Sequence, residues 1–230
     1  MEGSAGAGEP ARVACRVVLL LALDTSSPAV TVALHDGTAV VARATEVDAR
    51  RHGELVAPLV QRVLVDAGAS PRDLTDLAVG VGPGPFTGLR IGLVTARTLA
   101  SVTGARLVGV CSHDVIAADH TTGSAFVVAT DARRKEVHWS AYDDAGMRTR
   151  GPAVAAPADL AGLLDRGVGC IGRGAQLYAD LLPAVDGPLD PDAAVLAAAV
   201  VSTRVPLLPP DPLYLRRPDA TPPGRPKPVT

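Results

Sequence analysis

Small residues recur at every fourth position, Gly88, Gly92, Ala96 and Ala100, directly after the turn Gly80-Val81-Gly82-Pro83-Gly84-Pro85. That spacing predicts one face of a helix running from about Phe86 to Val102, and two glycines inside it cost up to about 1 kcal/mol each relative to alanine. Close approach by another backbone is the usual compensation, best documented between membrane helices but steric in origin. The covering chain is either the protein's own sheet or a helix of another subunit; the spacing does not choose between them. Leu77–Val81 reads as a buried strand ahead of the turn. A strand, a glycine loop and a helix in that order are where phosphates often bind. The dinucleotide pattern G-x-G-x-x-G fails, however, because its third glycine falls on Pro85 counted from Gly80 and on Thr87 counted from Gly82. No Gly-Lys-Ser/Thr triplet exists for a Walker loop. A tight turn that uses glycine's positive φ and proline's rigidity accounts for the motif, with the amides of the helix start left for weak anion binding.

Around this unit the pattern is that of an α/β protein. Val17–Asp24 is a continuous apolar run, Val30–Asp36 alternates, and Asp36-Gly37 is a hairpin signal leading to a third strand, Ala39–Glu46. Leu55, Val56, Leu59, Val60, Val63 and Leu64 form pairs four apart and predict a helix over His52 to Asp66. The β-β-β-α-β-α order recurs more weakly: a strand at Arg106–Val110, a short helix at Ser112–Ala118, strands at Phe126–Asp131 and Glu136–Asp143, and a turn at Asp144-Ala145-Gly146. Short helices at about 158–164 and 174–182 flank a strand at 168–171. A last helix, Asp192 to about Thr203, is nearly all Ala and Val and should be buried. Strands alternating with helices predict layered mixed sheets, and the repetition suggests a duplicated fold. The first 15 residues read as a loose Gly/Ala/Ser leader. Nine prolines between Val205 and Thr230 leave little room there for helix or sheet, although Leu213-Tyr214-Leu215 could dock on the body.

Composition excludes several classes. Lys plus Arg (22) against Asp plus Glu (24) gives a net charge of −2, so nothing marks the chain as a stand-alone phosphate-gripping nucleic-acid binder. Aromatics at 3% argue against base-stacking platforms. Cys15, Cys111 and Cys170 form no C-x-x-C pair, which argues against a disulfide framework or zinc knuckle and fits a reducing, cytoplasmic setting. The apolar run Val17–Leu23 is far short of the ~20 residues needed to span a bilayer. His35, His52, His113, His120 and His138 show no metal-ligand spacing, so no metal site is expected, and no nucleophile–base pair stands out. Asp24-Thr25-Ser26-Ser27, at the end of the first strand, resembles the phosphate-handling first turn of actin-like ATPases. There a carboxylate can position a metal-bound water, but Asp24 and Thr25 could equally satisfy turn backbone groups.

Leu21-Ala22-Leu23-Asp24-Thr25-Ser26, His52, the run Gly82-Pro83-Gly84-Pro85-Phe86-Thr87-Gly88-Leu89-Arg90-Ile91-Gly92, Asp131-Ala132-Arg133 with Glu136-Val137, and Pro212-Leu213-Tyr214-Leu215-Arg216 together resemble the bacterial TsaB family, formerly described as glycoprotease-like (YeaZ). The likeness spans roughly residues 17 to 217. It implies a two-lobed actin-like (ASKHA, RNase H-like) fold of mixed sheets flanked by helices. The first lobe would cover 16–104 and be completed by a helix at about 191–204, the second 105–190, with a Pro-rich tail at 205–230. It also implies a place in making threonylcarbamoyladenosine on tRNAs that read codons starting with A, as the non-catalytic partner of the related transferase TsaD. The ATPase TsaE would join that complex, and tRNA would be met through it. Any ATP/Mg at the seam would come mainly from partners, and without TsaD a homodimer would use the same surface.

Pairing in the family runs through first-lobe helices. The resemblance therefore nominates His52, Leu55, Val56, Leu59, Val63, Phe86, Gly88, Leu89, Gly92, Leu93, Ala96 and Ala100 as the interface, with Asp24, Thr25 and Ser26 as a vestigial phosphate loop. The H-x-x-x-H metal pair of TsaD falls on Ser112 and Ile116, and an isoleucine cannot ligate; His113 is one residue off register, about 100° around a helix. The competing reading is a self-sufficient enzyme, either an actin-like phosphotransferase using Asp24 or a peptidase.

Overall fold

The computed structural model describes residues 18–120 and 123–216. The leader, Cys15 and the end of the Pro-rich tail lie outside them. Five strands build the first sheet in the order β3-β2-β1-β4-β5: β1 (Leu20–Asp24), β2 (Ala29–His35), β3 (Val40–Val47), β4 (Asp76–Gly80) and β5 (Arg106–Val110). β1 runs antiparallel to β2 and parallel to β4. Alternation sends Leu21 and Leu23 to one face and Leu20 and Ala22 to the other. The first pair packs under α1 (His52–Asp66) and α2 (Phe86–Thr103) in a core with Val56, Leu59, Val60, Val63, Leu64, Leu93 and Ala96. The second pair packs under α6 (Ala193–Val201), whose Ala and Val side chains meet Ala33, Ala78 and Val110. The apolar character all round α6 is thus explained, because it fills a narrow layer on a face lined largely by alanines.

The second sheet repeats the plan with one strand fewer, in the order β8-β7-β6-β9: β6 (Phe126–Asp131), β7 (Val137–Tyr142), β8 (Arg148–Ala155) and β9 (Gly169–Ile171). β6 is antiparallel to β7 and parallel to β9, so it stands where β1 stands in the first sheet. Short helices α4 (Pro157–Ala161) and α5 (Arg173–Leu177) cover one face around Val127, Ala129 and Trp139. α3 (Ser112–Ala118) lies between the sheets: Val115 joins the first core, while Ile116 and Ala117 join Phe126, Val128, Tyr142 and Ile171. Paired mixed sheets of matching order with flanking helices are the actin-like (ASKHA, RNase H-like) architecture.

Two sequence expectations need correction. A second lobe beginning at 105 would cut off β5, which pairs in parallel with β4 and completes the first sheet, so the break comes after Val110. Strand β8 also goes unnamed by the sequence pattern. It contains Gly151-Pro152, a proline-bearing stretch suited only to an edge, and it is an edge strand of its sheet. The tail docks as its sequence allows. Leu208 exchanges backbone hydrogen bonds with Gly109 on the β5 edge, and the Leu213 amide donates to the Val81 carbonyl.

Candidate functional site

The Asp24 turn sits at the carboxyl end of β1, beneath the glycine turn and the start of α2. Asp24, Thr25, Ser26 and Ser27 are all buried. Asp24 Oδ1 accepts from the Ser26 amide at 2.7 Å, and Oδ2 accepts from the Ser112 hydroxyl at 2.6 Å, whose oxygen in turn accepts from the Gly82 amide at 3.1 Å. Burial raises the carboxyl pKa above the ordinary value, against the lowering effect of the Ser112 and Ser26 hydrogen bonds.

Thr25 locks the turn to α2. Its hydroxyl donates to the Gly88 carbonyl at 2.7 Å and accepts from the Gly92 amide at 3.1 Å. Those are the two groups an undisturbed helix would pair with each other. The approach is possible only because both positions lack a side chain. A Cβ on Gly88 would stand 2.4 Å from the Thr25 carbonyl oxygen, and one on Gly92 would stand 2.4 Å from Thr25 Oγ1. Gly84 and Gly80 obey the same constraint, the former against Ser26 O at 2.1 Å, the latter against the Asp24 carboxylate. His52 at the start of α1 closes the other side, donating from Nε2 to the Ser27 carbonyl at 2.7 Å.

The glycine-notched face is therefore covered by the chain's own β1 turn, and this corrects the interface expectation. Of the twelve nominated residues, His52, Val56, Leu59, Val63, Gly88, Leu89, Gly92, Leu93 and Ala96 are buried within this chain. Leu55 and Ala100 are half-buried against the same core, and only Phe86, 45% exposed, faces out. The outward side of the helix pair carries other apolar residues: Ala57, Pro58 and Val65 on α1, and Val94 and Val102 on α2. No periodic signal distinguishes them in the sequence. In the turn nominated as a vestigial phosphate loop, the Asp24 oxygens and the Thr25 hydroxyl are engaged internally and the Gly84 backbone lies against Ser26.

Ser112 and Ile116, where a metal pair would stand in TsaD, serve the Asp24 turn and the second core respectively. His113 between them is buried, with Nδ1 at 2.8 Å from Ser140 Oγ and Nε2 at 2.9 Å from Thr130 Oγ1. Desolvation holds its pKa well below the usual histidine value. Asp114 accepts from the Tyr142 hydroxyl at 2.8 Å and pairs with Arg148 at 3.1 Å. Together they fasten α3 to the second sheet. Among the described residues no cluster of three or more His, Cys, Asp or Glu is placed to hold a metal ion.

The equivalent turn of the second sheet is open. Asp131 ends β6 as Asp24 ends β1, but Arg133, Arg134 and Lys135 beyond it are exposed, with φ of 62°, 55° and 63°. Nearby, Phe86 and Tyr214 stack at 5.2 Å, and the Arg90 guanidinium lies 3.7 Å over the Phe86 ring. The run of three basic residues is visible in the sequence. Its left-handed backbone and its aromatic neighbours are not.

The family model for TsaD, tRNA N6-adenosine threonylcarbamoyltransferase, matches residues 12–180. An uncharacterised protein of Mycobacterium tuberculosis is 46% identical over 214 residues, covering 90% of this chain and 96% of that one. The tRNA threonylcarbamoyladenosine biosynthesis protein TsaB of Escherichia coli is 40% identical over 127 residues, 54% of each chain. The solved structure of YeaZ from Pseudomonas aeruginosa superposes with a TM-score of 0.73 at 30% identity, covering 86% of this chain and all of that one. The chain thus belongs to the family of the tRNA N6-adenosine threonylcarbamoyltransferase model, as a TsaB/YeaZ-like member.

Proposed function

We propose that this chain serves tRNA threonylcarbamoyladenosine synthesis as a non-catalytic subunit that pairs with, and activates, a TsaD-type transferase. The observation that carries the reading is the state of Asp24. The carboxylate that an actin-like enzyme would turn toward a phosphate or metal is held by Ser26 and Ser112 under α2. The same observation weighs against the self-sufficient phosphotransferase, and the Ser140–His113 contact, fully buried with both ring nitrogens engaged, offers a peptidase no reachable nucleophile. Pairing uses the outward side of α1 and α2, where Val65, Val94 and Val102 are 68%, 60% and 79% exposed. A homodimer formed in the partner's absence would use that side too. TsaE, ATP/Mg and tRNA join at the level of the complex. No helix among the described residues is long and apolar enough to cross a membrane, and a cytoplasmic location suits the role.

The test is reconstitution of tRNA modification with Val65→Glu/Val94→Glu. Exposed positions tolerate charge to within about 0.5 kcal/mol of stability, so the variant should stay folded while pairing and activity fall by at least ~100-fold. Unchanged pairing and activity would refute the assignment, as would turnover by the purified chain alone. Gly92→Leu or Leu59→Glu would not serve, since both positions lie inside the chain's own core.

A further inference from the structure

The turn between β6 and β7 exposes three consecutive basic residues, Arg133, Arg134 and Lys135. The Asp131 carboxylate accepts from the Arg133 amide at 2.8 Å and faces Arg133 Nη1 at 3.5 Å. The Ala132 amide donates to the Glu136 carbonyl, and the Glu136 amide donates to that of Arg133. Glu136 itself is paired with Arg216 from the tail, which also donates to the Ala132 carbonyl at 3.1 Å. Arg133, Arg134 and Lys135 are left exposed on three consecutive left-handed residues, a conformation that is uncommon outside glycine, asparagine and aspartate. Such strain persists where the surroundings fix it, and it collects at functional sites.

The tail that pins this turn also connects it to the aromatic stack. Tyr214 lies only two residues before Arg216, so their Cα atoms are within about 7 Å of each other. Tyr214 stacks on Phe86, its hydroxyl accepts from Arg90 Nε at 3.0 Å, and both rings are partly exposed, Phe86 at 45% and Tyr214 at 40%. The tail thus joins a turn bearing Arg133, Arg134 and Lys135 to a stack of Arg90 with two partly exposed aromatic residues. The chain as a whole carries a net charge of −2, so this excess of cations is local. Cations that meet phosphates, beside aromatic and guanidinium planes that accept unstacked bases, are the surface that recognises single-stranded RNA in loops and ends.

We infer that the β6–β7 turn and the Phe86/Tyr214 stack form an RNA-contacting surface, which grips the backbone of an unpaired tRNA segment through Arg133, Arg134 and Lys135 and stacks a base on Tyr214. This rests on the tRNA-modification reading, and it reverses the composition-based expectation that the subunit leaves stacking and phosphate contact to its partners.

The experiment measures tRNA affinity from about 50 to about 300 mM salt, for the full chain alone and mixed with its transferase partner. It compares wild type, Arg134→Asn/Lys135→Asn and Tyr214→Ala, with pairing followed by size-exclusion chromatography. Asparagine tolerates the left-handed region, so the double variant should melt no lower than wild type. Its affinity should fall at least ~10-fold at the lowest salt, and the slope of log affinity against log salt should decrease by about 1.4, two single-strand phosphate contacts at ~0.7 each. Tyr214→Ala should weaken binding by roughly 5- to 100-fold and leave the slope unchanged. Unaltered affinity and slope with pairing intact would overturn the inference and leave the proposed function standing. Loss of pairing in these variants would also overturn it, by making the surface a protein interface. If wild-type chain does not pair with the transferase, the proposed function fails, and RNA binding by the chain alone still decides the inference.

Discussion

The two sheets place an aspartate at the same point, at the end of the strand that pairs antiparallel with its successor and parallel with a later strand, yet the turns beyond Asp24 and Asp131 have opposite fates. After Asp24 the chain is buried, hydrogen-bonded to α2 and roofed by Gly84, Gly88 and Gly92. After Asp131 it exposes three basic residues, Arg133, Arg134 and Lys135. The helices account for the difference. Eighteen-residue α2 starts directly over the Asp24 turn, whereas the second sheet carries only the five-residue α4 and α5 on the corresponding side. A duplicated framework has been closed at one copy of the turn and left open at the other. The physical device that closes it is the removal of side chains from one helix face.

The largest effect should come from restoring one of those side chains. Gly→Ala inside a helix normally gains up to about 1 kcal/mol. At Gly88 the added methyl would meet the Thr25 carbonyl at 2.4 Å, backbone against backbone, and neither group can rotate away. Gly88→Ala should therefore lose about 3 kcal/mol or more in urea denaturation. Gly162→Ala, just past α4, meets nothing nearer than 3.5 Å and should stay within about 0.5 kcal/mol of wild type. Equal effects at the two sites would mean that the closed turn is not held by close approach.

How much of this could be read from the sequence follows from the same contrast. The period of four in Gly88, Gly92, Ala96 and Ala100 reports that a backbone comes close, and it does. The pattern carries no mark of whose backbone that is, so an interface and a self-covered face look alike. Helices α1 and α2 were legible because Leu55, Val56, Leu59, Val60, Val63 and Leu64 in the first, and Gly88, Gly92, Ala96 and Ala100 in the second, recur at helical spacing. β8 was not, because Gly151-Pro152 interrupts its pattern and an edge strand has few buried positions to declare it. The outward valines at 65, 94 and 102 have no period that sets them apart. Arg133-Arg134-Lys135 reads as an ordinary solvated charge run until three positive φ values and the neighbouring Tyr214 are seen together.

An intermediate effect should appear in acid. His113 is wedged between Ser140 and Thr130 and kept below its normal pKa by burial, and His138 on β7 is lowered to about 4, again mainly by burial. Both are neutral in the folded protein, while the unfolded chain protonates them near pH 6.5. Their contribution to stability is thus complete above pH 6.5 and is lost as pH falls, by about 1.4 kcal/mol per pH unit for each histidine, down to about pH 4 for His138. The difference in unfolding free energy between wild type and His138→Gln, measured from pH 7 to pH 4.5, should shrink at that slope for one proton. A flat difference would show that His138 is not held neutral in the fold.

The closed turn should show the opposite sign. Asp24 has its pKa raised by burial, so the folded state binds its proton more tightly than the unfolded state does. The stabilising contribution of that proton is complete below the unfolded value near 3.9 and is lost as pH rises through the folded pKa. Asp24→Asn keeps an oxygen for the Ser26 amide and removes the buried charge. Its stability at pH 7 should accordingly lie within about 1 kcal/mol of wild type, and lowering the pH toward 4 should shift the balance in favour of the wild type. At the open turn, Asp131→Asn removes a pairing that the solvent already screens, and should change stability by about 0.5 kcal/mol or less. If Asp24→Asn instead lost several kcal/mol at pH 7 and the loss diminished as the pH fell, the ionised carboxylate would be the form that the Ser26 and Ser112 hydrogen bonds favour in the fold, and burial would not be the dominant influence on this turn.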